Sequence, residues 1–441
     1  MEHLTELIDH TTLSDRREDL EQLLFSPKKN SAITEDILDN IPRYLFRVVS
    51  PGSRGTADER WVRSGSASQH KSSSKEDIFS NLNHMKRKVT AHMLNSHLRW
   101  WPDYGADDDF VSWTSSLLFA IQYIYYQDGR NWNVSDLTDI HLYVIDTEQF
   151  PRGTFIRDMD LINIFCGVDV SLEEFKKLRL RDGARYYFGE YLSQGALKIE
   201  NKCQIISADI MFERHRLRRI QPEFAEIDSA IASGNHGWVK EVIRLREAIW
   251  RTQMIPTYSF VEMRDRLEAI EEIIDTVGNH WKFPIAIYLA SLIGSESSID
   301  GCETAFDNIF FSYFRSAPFR GGSSIYLNEE HVNQKKQENF RPSNFVVAPH
   351  KMPELEHVKR LVREIHNHSQ LMIALGTINE AEDKICKLLA QSTLQAGEGS
   401  LFVSDENNVL GRAGRGLLSK LASVQKLCGS LALDISLEEE A

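Results

Sequence analysis

Short segments rich in β-branched and aromatic residues, all lying between residues 41 and 210, constrain the fold of this chain most strongly. Each is bounded by Gly, Pro, Asp or Asn, as β-strands commonly are. Their sequences are YLFRVV, DFVSWTSS, IHLYVID, RYYFGEYL, ALKIE and CQIISADI. Between the first two lies an amphipathic segment whose apolar residues follow at steps of three or four and predict one helical face. These residues are Ile78, Leu82, Met85, Val89, Met93 and His97. Strands interleaved with helices predict an α+β domain.

From about Pro222 onward the apolar pattern becomes helical. Two stripes have helical spacing: Met263, Leu267, Ile270 and Ile274, and then Leu355, Val358, Leu361, Val362 and Ile365. Pro353 precedes the second stripe, and proline is well tolerated at a helix start. We therefore expect an α+β domain followed by an all-α C-terminal half. The predicted divisions are an N-terminal helical extension (1–40), the α+β domain (41–214), a helical domain (215–330), a linker (331–352) and a C-terminal helical region (353–441).

Composition narrows the functional classes. The 441 residues allow roughly two to four domains. A net charge of −13 argues against a general nucleic-acid or anionic-membrane binder, which needs a basic surface. The five cysteines lack CxxC spacing, which disfavours a disulfide framework or a structural zinc site. The N-terminus shows no signal-peptide pattern, and the apolar stretch 283–293 is too short to cross a membrane. We expect a cytoplasmic protein without a membrane partner.

Polar residues at three places in the strand-rich region suggest chemistry. Arg47 stands inside YLFRVV, and a buried guanidinium needs an anionic partner such as phosphate or carboxylate. Ser112 and Thr114 point to the same face of a predicted strand, where their hydroxyls could orient a substrate or a catalytic carboxylate. Glu190 lies at a predicted strand end before a turn at Gly195. A carboxylate there could stabilise an oxocarbenium-like centre.

Each place also has an ordinary structural interpretation. Arg47 could lie on the exposed face of a half-buried strand, which is the commoner position for arginine. Ser115 or Ser116 is a suitable N-cap for a helix over residues 117–126. Glu190 could simply be solvated beside a turn. The residues alone leave both interpretations open.

Together the three places resemble the Arg–Ser–Glu class of ADP-ribosyltransferases, which includes the cholera-type mono-ADP-ribosylating toxins. The resemblance rests on Arg47, on the segment SWTSS that leads into a helix, and on EYLSQGALKI. The last segment is similar to the family's Glu–Val–Leu–Leu–Pro–x–Gly–x–x–Phe segment. The layout is also similar to N-terminal modules of uncharacterised fungal proteins. The resemblance covers about residues 41–210 and implies an ADP-ribosyltransferase-like split β-sheet domain.

The resemblance implies NAD as the substrate and no metal. Arg47 would hold the phosphate and ribose region of NAD. Ser112 would orient the catalytic glutamate and the nicotinamide ribose, with Thr114 and Ser115 completing the motif. Glu190 would stabilise the cation formed as nicotinamide leaves.

The chain departs from the family at Phe188, two residues before Glu190, in the region expected to bind the cofactor. Arginine-modifying members carry Glu there and several others carry Gln, so arginine transfer is not expected. NAD hydrolysis and transfer to an unknown protein or nucleic-acid acceptor stay open. The polar segment SGSASQHKSSSK (64–75) is expected to be a mobile loop. The longer loop 52–75, which contains it, would lie near the NAD site and could cover it. The C-terminal helices could dock a protein partner.

Two other functional classes stay open. The first is a catalytically inactive module of the same fold that serves protein interaction. The second is a metal-dependent hydrolase built on residues 107–109, with His141 and Asp146 as further oxygen and nitrogen ligands, although their spacing fits no ligand template. His366 and His368 do not share a helical face, so a zinc pair is not expected. The glycine-rich segment 411–416 lacks the spacing of a phosphate-binding loop.

Overall fold

Nine strands form one antiparallel sheet in the part of the chain that this computed structural model describes. That part comprises residues 22–27, 35–100, 108–129, 136–227, 238–250, 260–294 and 352–363, with 384 and 387. The strands are β1 (Gln22–Leu23), β2 (Tyr44–Val49), β3 (Thr56–Ala57), β4 (Trp61–Arg63), β5 (Phe110–Thr114), β6 (His141–Asp146), β7 (Ile156–Arg157), β8 (Glu190–Lys198) and β9 (Cys203–Ser207). Their order is β3-β4-β8-β5-β2-β6-β9, and β1 and β7 also pair with β8. The predicted α+β class is confirmed.

The sheet opens between two of its central strands. β2 pairs with β6 along its whole length, and β5 pairs with β8 along its whole length. Between β2 and β5, however, the described register contains a single pair, Phe46 with Thr114. Beyond that pair the two strands separate, and this separation creates the space for a cleft.

One face of the sheet carries a continuous apolar core. Its fully buried members come from five strands and two loops: Leu45, Val62, Val111, Trp113, Tyr143, Ile145, Phe150, Phe155, Tyr191, Leu197 and Ile199. Val111 and Trp113 of β5 belong to this core. Because side chains alternate along a strand, Ser112 and Thr114 point to the opposite face of the sheet. On that face the ring of Phe46 meets Tyr288 edge-on, with the ring centres 4.8 Å apart.

Helices cover the second face and the ends of the sheet. They are α1 (Gly65–Ser68), α2 (His84–Arg99), α3 (Leu117–Asp128), α4 (Asp158–Phe165), α5 (Val170–Ala184), α6 (Ala208–Phe212), α7 (Arg216–Ile220), α8 (Trp238–Trp250), α9 (Phe260–Ile274) and α10 (Asn279–Ser291), followed by α11, helical over residues 353–363. Residues 1–362 form one compact unit and residues 363–441 a second. No described helix is both long and apolar enough to span a membrane.

Two local predictions on helices are confirmed. Ser116 is the N-cap of α3, and its side chain accepts a hydrogen bond from the Phe119 N–H. The stripe predicted around Ile270 is the buried face of α9, where all four residues are nearly inaccessible to solvent. In α11, Leu355, Val358, Leu361 and Val362 are also buried, while Ile365 lies outside the described residues.

The helical face predicted for the segment 76–98 is wrong. The helix begins only after its N-cap Asn83, and Met85 and Val89 are 68% and 64% exposed. The buried face instead contains small and polar residues besides leucine: Thr90, Ala91, Leu94, Asn95, Ser96 and Leu98. Small side chains let α2 pack closely against α4 and α5, so shape overrides the apolar periodicity here.

One predicted loop and one predicted turn are also wrong. The segment 64–75 is not an irregular loop: it contains α1 and a 3₁₀ turn at Ser72–Lys75, and Ser66 and Ser74 are buried. The turn predicted at Gly195 is absent, because β8 runs through it. Gly195 has a φ of +62° and still donates its N–H to Asp109 O and accepts one from Ser64 N.

The chain ends are described only in part. Within the predicted N-terminal extension, β1 pairs with β8 and residues Glu35–Leu38 form one 3₁₀ turn. Most of the predicted linker and of the C-terminal helical region lies outside the described residues.

Candidate active site

A cleft of about 400 Å³ lies where β2 and β5 separate. This volume is within the range of small-molecule sites. β2, β5, the end of α2, α3, α5 and the start of β8 all contribute to its wall. The lining residues are Phe46, Arg47, Val48, Gly52, Ser53, Arg54, His97, Leu98, Trp100, Asp108, Phe110, Ser112, Trp113, Thr114, Phe119, Ala120, Tyr123, Arg179 and Glu190. Arg47, Ser112 and Glu190, which the sequence analysis selected from distant segments, therefore meet in one cleft.

Ser112 and Glu190 form the centre of the cleft. The pairing of β5 with β8 places Thr114 opposite Glu190, so Ser112 and Glu190 are neighbours on adjacent strands. The Ser112 hydroxyl donates a hydrogen bond to Glu190 Oε1 at 2.8 Å. This contact fixes one oxygen of the carboxylate and leaves the group facing the cleft.

Arg179, from α5, holds the other carboxylate oxygen. Its Nη2 donates to Glu190 Oε2 at 2.6 Å, and its Nη1 donates to Tyr186 O at 3.1 Å. Asp158 lies behind it, with Oδ2 3.8 Å from Arg179 Nε. Burial raises the pKa of Asp158 to about 7, partly offset by Arg179 and reinforced by the nearby charge of Glu190. Two carboxyl groups therefore share one guanidinium at the back of the cleft.

His97 and Asp108 approach Ser112 from the other side. His97 Nε2 lies 2.6 Å from Ser112 Oγ, and His97 Nδ1 lies 2.6 Å from Asp108 Oδ2. Asp108 is anchored in turn, because its Oδ1 accepts the backbone N–H of Phe110 at 2.9 Å. The ring of His97 also packs edge-on against Phe110. A hydrogen-bonded row thus runs from Asp108 through His97 and Ser112 to Glu190.

Arg47 lies between the separated strands. Its Nη1 donates to Ser112 O at 2.9 Å, while its buried Nε has no hydrogen-bond partner among the described residues. No described carboxylate lies within 4 Å of this guanidinium, and burial lowers the pKa of Arg47. A half-buried guanidinium with an inaccessible Nε and no paired carboxylate is costly, and an anionic ligand would compensate for it.

The remaining predicted site residues mostly support the wall rather than line it. Thr114 lines the cleft, and its Oγ1 donates to Phe188 O at 2.7 Å. Ser115 lies outside the lining and donates its N–H to Gly189 O at 2.8 Å. Phe188 is buried outside the lining as well, with its ring stacked on Phe119 at 5.1 Å. These contacts fix the segment that leads into Glu190.

Three residues of the site were not selected from the sequence: His97, Arg179 and Asp158. His97 was assigned to an apolar helical face, and Asp108 was considered only within the 107–109 metal cluster. Arg179 stands in the charged segment KKLRLRD, where a local pattern does not distinguish it from its neighbours. Only the tertiary fold brings these side chains to Ser112 and Glu190.

The residues considered for metal binding have other partners. Asp109 Oδ1 accepts a hydrogen bond from Ser73 Oγ, and Asp146 pairs with Arg43 at 3.2 Å. Within the described ranges there is no group of three or more His, Cys, Asp or Glu placed to hold a metal ion. Asp107, His366, His368 and the segment 411–416 lie outside those ranges.

Comparison with known families places the cleft within one recognised domain. Residues 40–200 match a family described as a domain of unknown function (DUF7587). No curated protein and no solved structure matches the chain. All the residues that line the cleft, from Phe46 to Glu190, fall inside the matched range.

Proposed function

We propose that the cleft binds NAD and cleaves the bond between nicotinamide and ribose, so that ADP-ribose passes to water or to an acceptor. The observation that carries the proposal is the meeting of Arg47, Ser112 and Glu190. Arg47 is 65 residues from Ser112 and Ser112 is 78 residues from Glu190, yet all three line one cleft. This is the residue set that the resemblance to the Arg–Ser–Glu ADP-ribosyltransferases implies.

Arg47 is suited to hold the diphosphate of NAD. The chain carries a net charge of −13, so a dianionic ligand requires a local cation. The Arg47 guanidinium is fixed by Ser112 O and has a buried Nε without a partner among the described residues. A planar guanidinium donates two parallel hydrogen bonds to phosphate oxygens more readily than an ammonium group does.

Glu190 is suited to stabilise the charge that develops on the ribose. As the glycosidic C–N bond breaks, its electron pair moves to the nicotinamide ring nitrogen and the ribose becomes an oxocarbenium-like cation. A carboxylate fixed by Ser112 lowers the energy of that cation without reorganising. A nucleophile then forms the new bond to the same carbon and loses its proton, which completes hydrolysis or transfer.

The surroundings of Glu190 favour transfer of ADP-ribose to water, or to an acceptor that needs no activation by a side chain two residues before Glu190. That position is occupied by Phe188, whose buried ring stacks on Phe119. Neither ring carries a group that accepts a proton. We therefore propose hydrolysis as the basal reaction.

One observation favours the alternative of an inactive interaction module. Arg179 donates to Glu190 Oε2 at 2.6 Å, and Ser112 occupies Oε1. An ion pair this close offsets part of the negative charge that would stabilise the ribosyl cation. In this alternative the module serves protein interaction and does not release nicotinamide.

Nicotinamide release from NAD tests the proposal directly. Wild-type protein should release nicotinamide, and Glu190→Gln should lower the rate about 100-fold or more, because a neutral amide stabilises the cation poorly. Glu200→Gln is the matched control: Glu200 follows the far end of β8, where it pairs with Arg60 and Lys198. Undiminished release by Glu190→Gln would exclude Glu190 as the catalytic carboxylate. Loss of wild-type activity in a chelator would instead support the metal-dependent hydrolase.

Calorimetric titration with NAD separates binding from cleavage. Arg47→Met keeps the length of the side chain but removes its charge, so it should weaken NAD binding about 10- to 100-fold, the effect of losing a charged hydrogen bond. Arg60→Met, at a half-exposed arginine outside the cleft, should bind NAD as wild type does. No NAD binding at all would refute the proposal and favour the interaction module, and NAD binding without nicotinamide release would refute cleavage.

A further inference from the structure

Three consecutive hydrogen bonds join Asp108, His97, Ser112 and Glu190. The distances are 2.6 Å from Asp108 Oδ2 to His97 Nδ1, 2.6 Å from His97 Nε2 to Ser112 Oγ, and 2.8 Å from Ser112 Oγ to Glu190 Oε1. All three are within the range of strong hydrogen bonds. Each therefore requires a hydrogen between its two atoms.

Counting hydrogens shows that the neutral forms do not suffice. A neutral imidazole carries one N–H and a serine carries one O–H, while ionised carboxylates carry none. Two hydrogens cannot supply three bonds. A third proton must lie on Asp108, on Glu190 or on the second nitrogen of His97.

The surroundings assign that proton to His97. Glu190 also accepts a bond from the Arg179 guanidinium, and Asp108 also accepts a backbone N–H. Both contacts stabilise the ionised carboxylate. His97 lies in the last turn of α2, where the partial negative charge of the helix end stabilises a cation.

We propose that His97 is an imidazolium and acts, together with Asp108, as a positioning residue for Ser112. Its Nε2–H donates to Ser112 Oγ, so the hydroxyl hydrogen of Ser112 points to Glu190 Oε1. Glu190 is then held by Ser112 on one oxygen and by Arg179 on the other. The charged groups around this row are Asp108 and Glu190 within it, Arg179, which donates to Glu190 Oε2, and Arg47, whose Nη1 donates to Ser112 O.

This arrangement differs from a nucleophilic serine triad, which it superficially matches. In such a triad the serine donates its hydrogen to the histidine, and an oxyanion forms beside donor groups. Here the carboxylate of Glu190 lies 2.8 Å from Ser112 Oγ and would repel a developing oxyanion. The negative charge of Glu190 makes Ser112 an orienting group rather than a nucleophile.

Nitrogen NMR of protein labelled with ¹⁵N-histidine tests the protonation state without any substrate. At neutral pH the wild-type His97 should show two protonated ring nitrogens, assigned by their loss in His97→Gln. His357 is an internal neutral reference, since burial lowers its pKa to about 3. A His97 with one unprotonated nitrogen in the wild type would overturn the proposal.

Glu190→Gln sharpens the same measurement. Arg179 must donate to the amide oxygen, so the amide NH₂ faces Ser112 and supplies the third hydrogen itself. His97 should then lose one proton in this variant, whereas it should keep both in Glu200→Gln. An unchanged imidazolium in Glu190→Gln would contradict the hydrogen count.

Two substitutions of His97 test its positioning role, in an arm that rests on the proposed function. The glutamine side-chain nitrogen reaches the place of Nε2 and still donates to Ser112, whereas the asparagine nitrogen reaches only the place of Nδ1. His97→Asn should lower kcat for nicotinamide release about 100-fold with little change in KM for NAD, and His97→Gln less than tenfold. Equal losses would refute positioning through Ser112.

The NMR test and the kinetic test can be refuted independently of each other. Absence of nicotinamide release from the wild type would refute the proposed function, while the NMR result would still decide the protonation state of His97. Labelling of Ser112 by a fluorophosphonate probe would overturn the proposal in favour of a nucleophilic serine.

Discussion

Replacing Glu354 with alanine should lower the free energy of unfolding by about 3–5 kcal/mol, the usual cost of leaving one member of a buried ion pair alone. Glu354, in α11, is 2% exposed, and its partner Arg246, in α8, is 5% exposed. Arg246 Nε lies 3.0 Å from Glu354 Oε2, and Arg246 Nη2 lies 2.5 Å from Oε1. The same Oε1 accepts a hydrogen bond from Ser116 Oγ at 2.7 Å.

The magnitude follows from what remains after the carboxylate is removed. Arg246 would keep its bond to Tyr187 O at 2.9 Å and its position over the Phe188 ring, but its buried charge would have no counter-ion in these contacts. Ser116 would keep its role as N-cap of α3. The guanidinium therefore accounts for most of the loss, and the serine for at most about 1 kcal/mol.

Urea unfolding followed by tryptophan fluorescence measures this difference from the midpoint and slope of the transition. Glu356→Ala, on an exposed position of the same helix, should change stability by less than about 0.5 kcal/mol. The double variant Glu354→Leu with Arg246→Met should be more stable than Glu354→Ala, because no unpaired charge stays buried. A loss below about 1 kcal/mol for Glu354→Ala, or a double variant less stable than the single one, would refute the reasoning.

Two further predictions concern the segment before Glu190 and the carboxyl group behind it. Gly189→Ala should destabilise the protein by at least about 1–2 kcal/mol, since Gly189 has a φ of +66° and an added Cβ would collide with Ser115 Oγ. The control is Gly167→Ala, because nothing lies within 4 Å of a Cβ added there. Equal stability of the two variants in urea would contradict the prediction. Asp158 has its pKa raised from 3.8 to about 7, so between these values the unfolded chain ionises this carboxyl group while the folded protein keeps it protonated. Its contribution to stability is therefore complete below pH 3.8 and is lost as pH rises to 7. Asp158→Asn should remove that decline from the pH dependence of unfolding, and an unchanged pH dependence would show that the group does not titrate there.

Features set by neighbouring residues could be predicted from the sequence. The segment YLFRVV corresponds to β2 without a shift, Ser116 caps α3, and the stripe around Ile270 is buried. In each case the deciding interaction lies within one strand or one helical turn. The choice of Arg47 and Glu190 as cleft residues depended on the family resemblance, because the local pattern allowed an exposed position for both.

Features set by packing between distant elements could not be predicted. The role of His97 depends on how α2 packs against α4 and α5, whereas the sequence placed His97 on one apolar face with Met85 and Val89, which are exposed. Arg179 differs from neighbouring basic residues only in that its side chain is buried beside Glu190. The contact between Ser116 and Glu354 joins residues 238 positions apart, a separation at which local periodicity carries no information.

The single pair between β2 and β5 gives Arg47 a mechanical role in addition to its charge. Continuing the register from Phe46 and Thr114 would place Val48 opposite Ser112, with Ser112 O available to a backbone N–H of β2. Arg47 Nη1 takes that acceptor instead, so a side chain substitutes for the next rung of the ladder and keeps the strands apart. Arg47→Ala should let β2 and β5 pair further. The cleft would then close, because backbone hydrogen bonds between the strands would replace the hydrogen bond from Arg47 to Ser112 O. We therefore expect the length of residue 47 to influence the width of the cleft, separately from the charge that it carries.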